Sequence, residues 1–184
     1  VGEYMLEEFA KIPVDVDVAS EFRYRGAMLD RNTTVIAITQ SGETADTLAG
    51  VKLAKEHGAK VLAICNVMGS SIARAADAVL YTHAGPEISV ASTKAYTAQL
   101  TALLLLTLFL AERRGHLASQ ERVRLVRALA GLPRVIAQAL KVEPAVKKVA
   151  SSKLHGTIVT FEPDVEIFKD LKFDLNTVVN HIRQ

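Results

Sequence analysis

TTVIAITQSGETADTLAGVKLAKEHGAKVLAICN, Thr33 to Asn66, sets the expectation for the fold. It opens with a β-branched apolar run, Thr33 to Thr39, of the kind expected for a strand covered on both faces. The polar segment QSGET follows. A helix is then predicted from about Ala45 to His57, with Leu48, Val51 and Ala54 on one side and His57-Gly58 ending it. KVLAICN is a second buried strand. Working downstream, a short helix is expected from Ser70 and a third strand at AVLYTH. A long helix is expected over about Ser92 to Arg114. Another spans about Ser119 to Leu140 and is expected to be interrupted near Gly131-Leu132-Pro133. Alternating strands and helices imply parallel strands joined by right-handed crossovers. Upstream, Val1 to Lys11 reads as a helix with Val1, Met5 and Phe9 spaced four apart. It has no cap before it, which suggests a chain cut from something longer. PVDVDVA, from Pro13, alternates Val14, Val16 and Val18 with Asp15 and Asp17, the pattern of a half-buried strand.

The chain has 184 residues, 49% of them hydrophobic, and a formal net charge of +2. That length suits one domain with at most a short appendage, and roughly two-thirds of the unfolded surface can be buried. The apolar share excludes disorder as the dominant state. Near-neutrality supplies no field to hold nucleic acid or an anionic membrane. Cys65 is the single cysteine, which excludes a disulfide framework and points to a reducing compartment. The most apolar run, Ala98 to Ala111, is shorter than the ~20 residues a membrane span needs, so it is expected as a buried helix. No secretory signal is visible, and the expected location is the cytoplasm.

In open parallel sheets ligands sit beyond the carboxyl ends of the strands. Thr39-Gln40-Ser41-Gly42-Glu43-Thr44 lies at such an end and carries three hydroxyls and an amide in six residues. Gly42 permits a tight turn. The hydroxyls and the first helical N–H groups suit an anion such as a phosphate monoester. The same spacing also fits a capping box, with Ser41 as cap and Asp46 favouring the helix dipole. Glu87 to Lys94 is a second strand-to-helix junction. There Val90, Ala91 and Ser92 either approach a ligand or leave Ser92 as a simple N-cap. Asn66 to Ser71 is a third, less distinctive loop. His83 is a base candidate or a surface residue, and Cys65 reads as a packed small residue. His57, His83, His116, His155 and His181 show no metal-ligand spacing. Glu21, Arg23 and Arg25 form either a solvated charge cluster or a subunit contact, a structural role being the preferred reading.

ASEFRYR (Ala19 to Arg25), TQSGETADTL (Thr39 to Leu48), AICNVMGSSIAR (Ala63 to Arg74) and GPEISVASTKAYTAQL (Gly85 to Leu100) carry a specific resemblance. Over about residues 1–150 the chain resembles the first sugar isomerase (SIS) subdomain of the glutamine–fructose-6-phosphate aminotransferase (isomerising) family. The resemblance implies a three-layer α-β-α sandwich around a five-stranded parallel sheet that binds phosphosugars. It implies that Thr39, Gln40, Ser41 and Thr44 contact the sugar phosphate, Thr39 standing where Ser is common, and that Val90, Ala91 and Ser92 line the sugar. Fructose 6-phosphate and glucosamine 6-phosphate are the implied ligands, and no cofactor is expected; a homodimer is expected from an unpaired sheet edge and an exposed apolar face. The family's glutaminase domain, the Cys-Gly-Thr-Ser segment expected before Val1, and the second SIS subdomain with its Glu, His and Lys are not found in the chain. Lys94 and Glu87 match none of them. An N-terminally truncated module, inactive alone, is therefore expected.

From about Lys153, the motifs His155-Gly156-Thr157, Thr160-Phe161, Pro163-Asp164, Glu166-Ile167-Phe168 and Phe173-Asp174 resemble a transducer segment of the DNA gyrase B-subunit family. They carry none of that family's nucleotide-binding residues. Residues 151–184 are expected to form a strand-plus-helix appendage, with Leu175, Val178, Val179 and Ile182 on one stripe. The join admits an engineered chimera, a rearranged gene or an assembly artefact. Two further functions stay open beside the binding module: a fragment active only with a complementary SIS subdomain, and a chimeric chain with no selected activity.

Overall fold

The computed structural model describes residues 1–88 and 92–141. The expected appendage at 151–184 lies outside them. The chain divides into two compact units, Val1–Leu129 and Ala130–Gln184. The boundary falls inside the last described helix.

Three strands form the sheet: β1 (Thr34–Thr39), β2 (Lys60–Cys65) and β3 (Ala78–Tyr81), in the order β1-β2-β3 and all parallel. Thr34 pairs with Lys60 and Thr39 with Cys65, so both strands end level with one another. The crossovers are α3 (Ala45–Glu56) between β1 and β2 and α4 (Ser71–Ala75) between β2 and β3. Where the resemblance implies five strands, the described residues supply three.

Period-two alternation sorts the strand side chains onto two faces. Ala37, Val61 and Ala63 pack with Val51, Ala54 and Ile72 from α3 and α4. On the other face Ile64 packs against Ala102 and Leu103 of α5 (Lys94–Arg113), flanked by Ile36 and Leu80. Helices on both sides of a parallel sheet make the molecule an α/β sandwich, as expected. β1 is not fully covered: Ile38, on the α5 side, is 43% exposed. In this arrangement β1 is an edge strand among the described residues, which explains the open flank.

The N-terminal helix begins as α1 (Gly2–Met5) and continues as a π-helical turn, Leu6–Ala10. That wider turn changes the face presented to the core. Leu6 and Ala10 are buried, whereas Val1, first of the predicted stripe, is exposed. Leu6 to Ala10 packs along α5. Lys11 closes the helix in the left-handed region at φ 53°. The guanidinium of Arg114 donates to the carbonyls of Ala10 (3.0 Å) and Lys11 (3.4 Å), satisfying the helix end from 103 residues away.

Two sequence expectations fail. Pro13 to Ala19 forms no strand: Val16 and Val18 are exposed, and Asp15 and Asp17 turn to Arg25 (3.0 and 2.6 Å). The two aspartates are held by a cation, and among the described residues no strand pairs with this backbone. α6 (Ser119–Leu140) is uninterrupted, with Pro133 inside it. The proline ring forfeits one ladder bond without ending the helix. Just after α2 (Ala19–Phe22), Arg23 pairs with Asp46 of α3 at 3.1 Å.

α5 is long and apolar enough to cross a membrane, with a mean hydropathy of 1.5 over its best window. In this fold one face of α5, with Ala102, Leu103, Thr107, Leu108 and Ala111, is buried, while Leu105 and Phe109 are about half exposed, so the helix is covered on one face and not throughout as expected.

Candidate functional site

The candidate loop follows β1 directly. Thr39 is its last strand residue and is buried; Gln40 and Ser41 are half-buried; Thr44 is exposed and serves as N-cap of α3. Thr39 Oγ1 accepts a hydrogen bond from the Gly42 N–H (3.1 Å), and Ser41 Oγ accepts one from the Glu43 N–H (3.2 Å). Each hydroxyl thus spends a lone pair within the loop and keeps its own proton to give. Ser41 is not the helix cap that the spacing allowed. Thr44 caps by position but makes no side-chain cap bond, so the first N–H groups of α3 meet no capping side chain.

The loop is held from below. Gly42 lies at φ +70°, over Ser70 and Cys65. Its carbonyl accepts from the Ile72 N–H at 2.9 Å. Glu43 Oε1 accepts from the Ser71 N–H at 2.8 Å, so the carboxylate sits on the start of α4. Cys65 is fully buried, with Sγ 3.4 Å from Ser70 Oγ, and is the packed residue the sequence suggested.

On the opposite junction, Val90 and Ala91 lie outside the described residues. Ser92 is exposed and is not the N-cap; Thr93 is. The end of α5 is instead satisfied by Glu87, whose carboxylate accepts from the N–H groups of Thr93 and Ala95 (both 3.2 Å) and from Thr93 Oγ1 (3.4 Å). Sequence reasoning missed Glu87 and Glu43 as caps. Glu87 precedes its helix by a loop and Glu43 reaches 28 residues ahead, so no capping spacing marks either. His83 is exposed at φ 50° beside Tyr81, a surface residue. Among the described residues no group of His, Cys, Asp or Glu could hold a metal ion.

Hydrogen bonds from the Ser71 hydroxyl and N–H hold the Glu43 carboxyl below its ordinary range. The N–H groups of Ala95 and then Thr93 do the same for Glu87. The Val61 N–H and then Lys55 lower Asp77. A carboxylate lowered in the folded state contributes stability above its unfolded pKa, and that stability is lost as pH falls through the folded value. The chain is therefore expected to hold its Tm from pH 7 down to about 4 and to lose it below that. In the Glu43→Gln plus Glu87→Gln variant the drop should be shallower. Thermal melts between pH 7 and 2.5 check this; identical slopes for both proteins would refute it.

Comparison with known proteins agrees with this geometry. The SIS domain family model matches residues 1–109. The chain is 50% identical over 155 residues to a glutamine–fructose-6-phosphate aminotransferase (isomerising) of Clostridium tetani, covering 84% of this chain and 25% of that protein. The Chlorobaculum tepidum enzyme of the same name is 53% identical over 151 residues, covering 82% and 24%. Among solved structures, the C-terminal domain of glucosamine-fructose-6-phosphate aminotransferase from Francisella tularensis superposes with a TM-score of 0.75 at 39% identity. That match covers 78% of this chain and 41% of that one. The chain spans about a quarter of the length of these curated relatives. A family model that matches from the N-terminal helix through most of α5, on a sheet with its polar loop at the carboxyl end of β1, leads to one conclusion: the chain belongs to the SIS domain family.

Proposed function

We propose that the chain is a phosphosugar-binding module, taking fructose 6-phosphate or glucosamine 6-phosphate, from an isomerising aminotransferase of amino-sugar biosynthesis. The observation that carries the reading is the loop Thr39–Thr44, where two hydroxyls accept from backbone N–H groups and keep their protons directed elsewhere. Thr39, Gln40, Ser41 and Thr44 hold the phosphate together with the uncapped first turn of α3. Val90, Ala91 and Ser92 line the sugar. The loop needs no lysine, since hydrogen bonds to a charged group contribute about 1.5–3 kcal/mol each. The module works in the cytoplasm.

Titration calorimetry of the full chain with glucosamine 6-phosphate tests this. Heat is expected from the parent and should be lost in the Ser41→Ala plus Thr44→Ala variant. A silent parent overturns the reading.

The isolated chain is inactive in glucosamine 6-phosphate synthesis from fructose 6-phosphate and ammonia. The support is its span of a quarter of the relatives' length and the lack of a match for the family's Glu, His and Lys. Product formation by the chain alone would contradict that. The module also associates as a homodimer. The exposed Tyr96, Leu105 and Phe109 on the apolar helix α5 favour it.

A further inference from the structure

We propose that Asn66 is a positioning residue that ties the loop after β3 to the candidate phosphate loop after β1, so that phosphate affinity depends on a side chain outside the set of proposed contacts. The inference rests on the phosphosugar reading and deepens it.

Asn66 follows the last residue of β2, the central strand, and so stands between the two outer loops. Its backbone N–H donates to the Gln40 carbonyl at 3.3 Å, within the first loop. Its side chain serves the other loop. Oδ1 accepts from the Ala84 N–H (2.8 Å) and from Thr82 Oγ1 (3.1 Å), and Nδ2 donates to the Gly85 carbonyl (2.8 Å). The amide accepts twice through Oδ1 and donates through Nδ2, two atoms held in one plane; a carboxylate has no proton for Gly85, and an apolar side chain serves neither. The segment it holds is not regular. His83 and Gly85 lie at φ 50° and 73°, so without these bonds the chain there has no ladder to keep it in place. Thr82 adds a backbone tie, its N–H donating to the Cys65 carbonyl at 3.0 Å. This loop then leads to Glu87, which anchors the start of α5. One residue is therefore bonded both to the loop after β1 and to the segment Thr82–Gly85 after β3.

The test uses the full chain, its Asn66→Ala variant, and Thr82→Val, which removes one of the three side-chain bonds. Neither substitution adds charge near a phosphate. Two readouts are taken: amide hydrogen exchange without ligand, and glucosamine 6-phosphate binding by calorimetry. Asn66→Ala should exchange about tenfold faster at Ala84 and also at Gly42 and Glu43 in the far loop, and should bind about tenfold more weakly. Thr82→Val should show smaller changes in the same direction. A purely local role would speed exchange at Ala84 alone and leave Gly42, Glu43 and the affinity at parent values, and that result overturns the proposal. If the parent binds nothing, the phosphosugar reading fails by itself. The coupling of the loops is then decided by exchange: faster Gly42 and Glu43 amides support it, and unchanged ones refute it.

Discussion

Gly42→Ala is expected to lower the urea midpoint of the chain by about 1–2 M. A Cβ at this position would lie 2.0 Å from Ser70 Oγ, 2.4 Å from Ser70 Cβ and 2.9 Å from Cys65 Sγ. Ser70 and Cys65 are both buried and cannot swing into solvent. The backbone adds to the problem, because φ of +70° is costly for any residue with a Cβ. Overpacking and left-handed strain each contribute about 1–3 kcal/mol, so about 2–6 kcal/mol is expected together. The effect reaches the site, since the Gly42 carbonyl and N–H are bonded to Ile72 and Thr39. Adding Ser70→Gly to Gly42→Ala removes the closest contacts and leaves the φ strain, so the pair should regain part of the lost midpoint. A single variant within 0.3 M of the parent would show that the loop moves aside at little cost.

That tight seat was half legible in the sequence. Gly42 between a β-branched run and a helix start marks a turn by itself. That the turn rests on Ser70 and Cys65 was not visible, because those residues belong to the next strand-to-helix junction and meet it only once β1 and β2 are in register. The strands were legible for a local reason: Thr33 to Thr39 and Lys60 to Cys65 are continuous apolar runs with β-branched residues, bounded by polar turns. Pro13 to Ala19 had an equally good alternation and formed no strand. Alternation reports which residues could share a face and says nothing of a neighbouring strand to pair with, and here Arg25 draws both aspartates. The site divides in the same way. Thr39, Ser41 and Thr44 could be picked out by chemistry and position. Glu43, Glu87 and Arg114 could not, because each satisfies a helix end that the fold brings near and that sequence spacing does not.

Ile64→Ala tests the other side of the sheet. Ile64 is 0% exposed in the central strand and packs on Ala102 and Leu103 of α5. The small Ala102 has only a methyl group and cannot extend into a cavity, and a strand pinned on both edges cannot shift to close one. Loss of the three carbons should cost about 2–5 kcal/mol, most of the stability of an ordinary domain at the upper end. Ile38 on β1 provides the control within the same residue type. At 43% exposure it already meets water, so Ile38→Ala should cost under about 1 kcal/mol. The contrast matters for function because Ile64 stands two residues before Asn66, on the strand that holds both loops. If packing against α5 fixes the end of β2, Ile64→Ala should weaken glucosamine 6-phosphate binding as well as stability, measured well below the melting temperature. Ile38→Ala, one residue before Thr39 but on an open edge, should leave stability almost unchanged. Equal urea midpoints for the two variants would mean that the α5 face of the sheet contributes no more than its exposed flank, and the sandwich would have to be held by the α3 and α4 side alone.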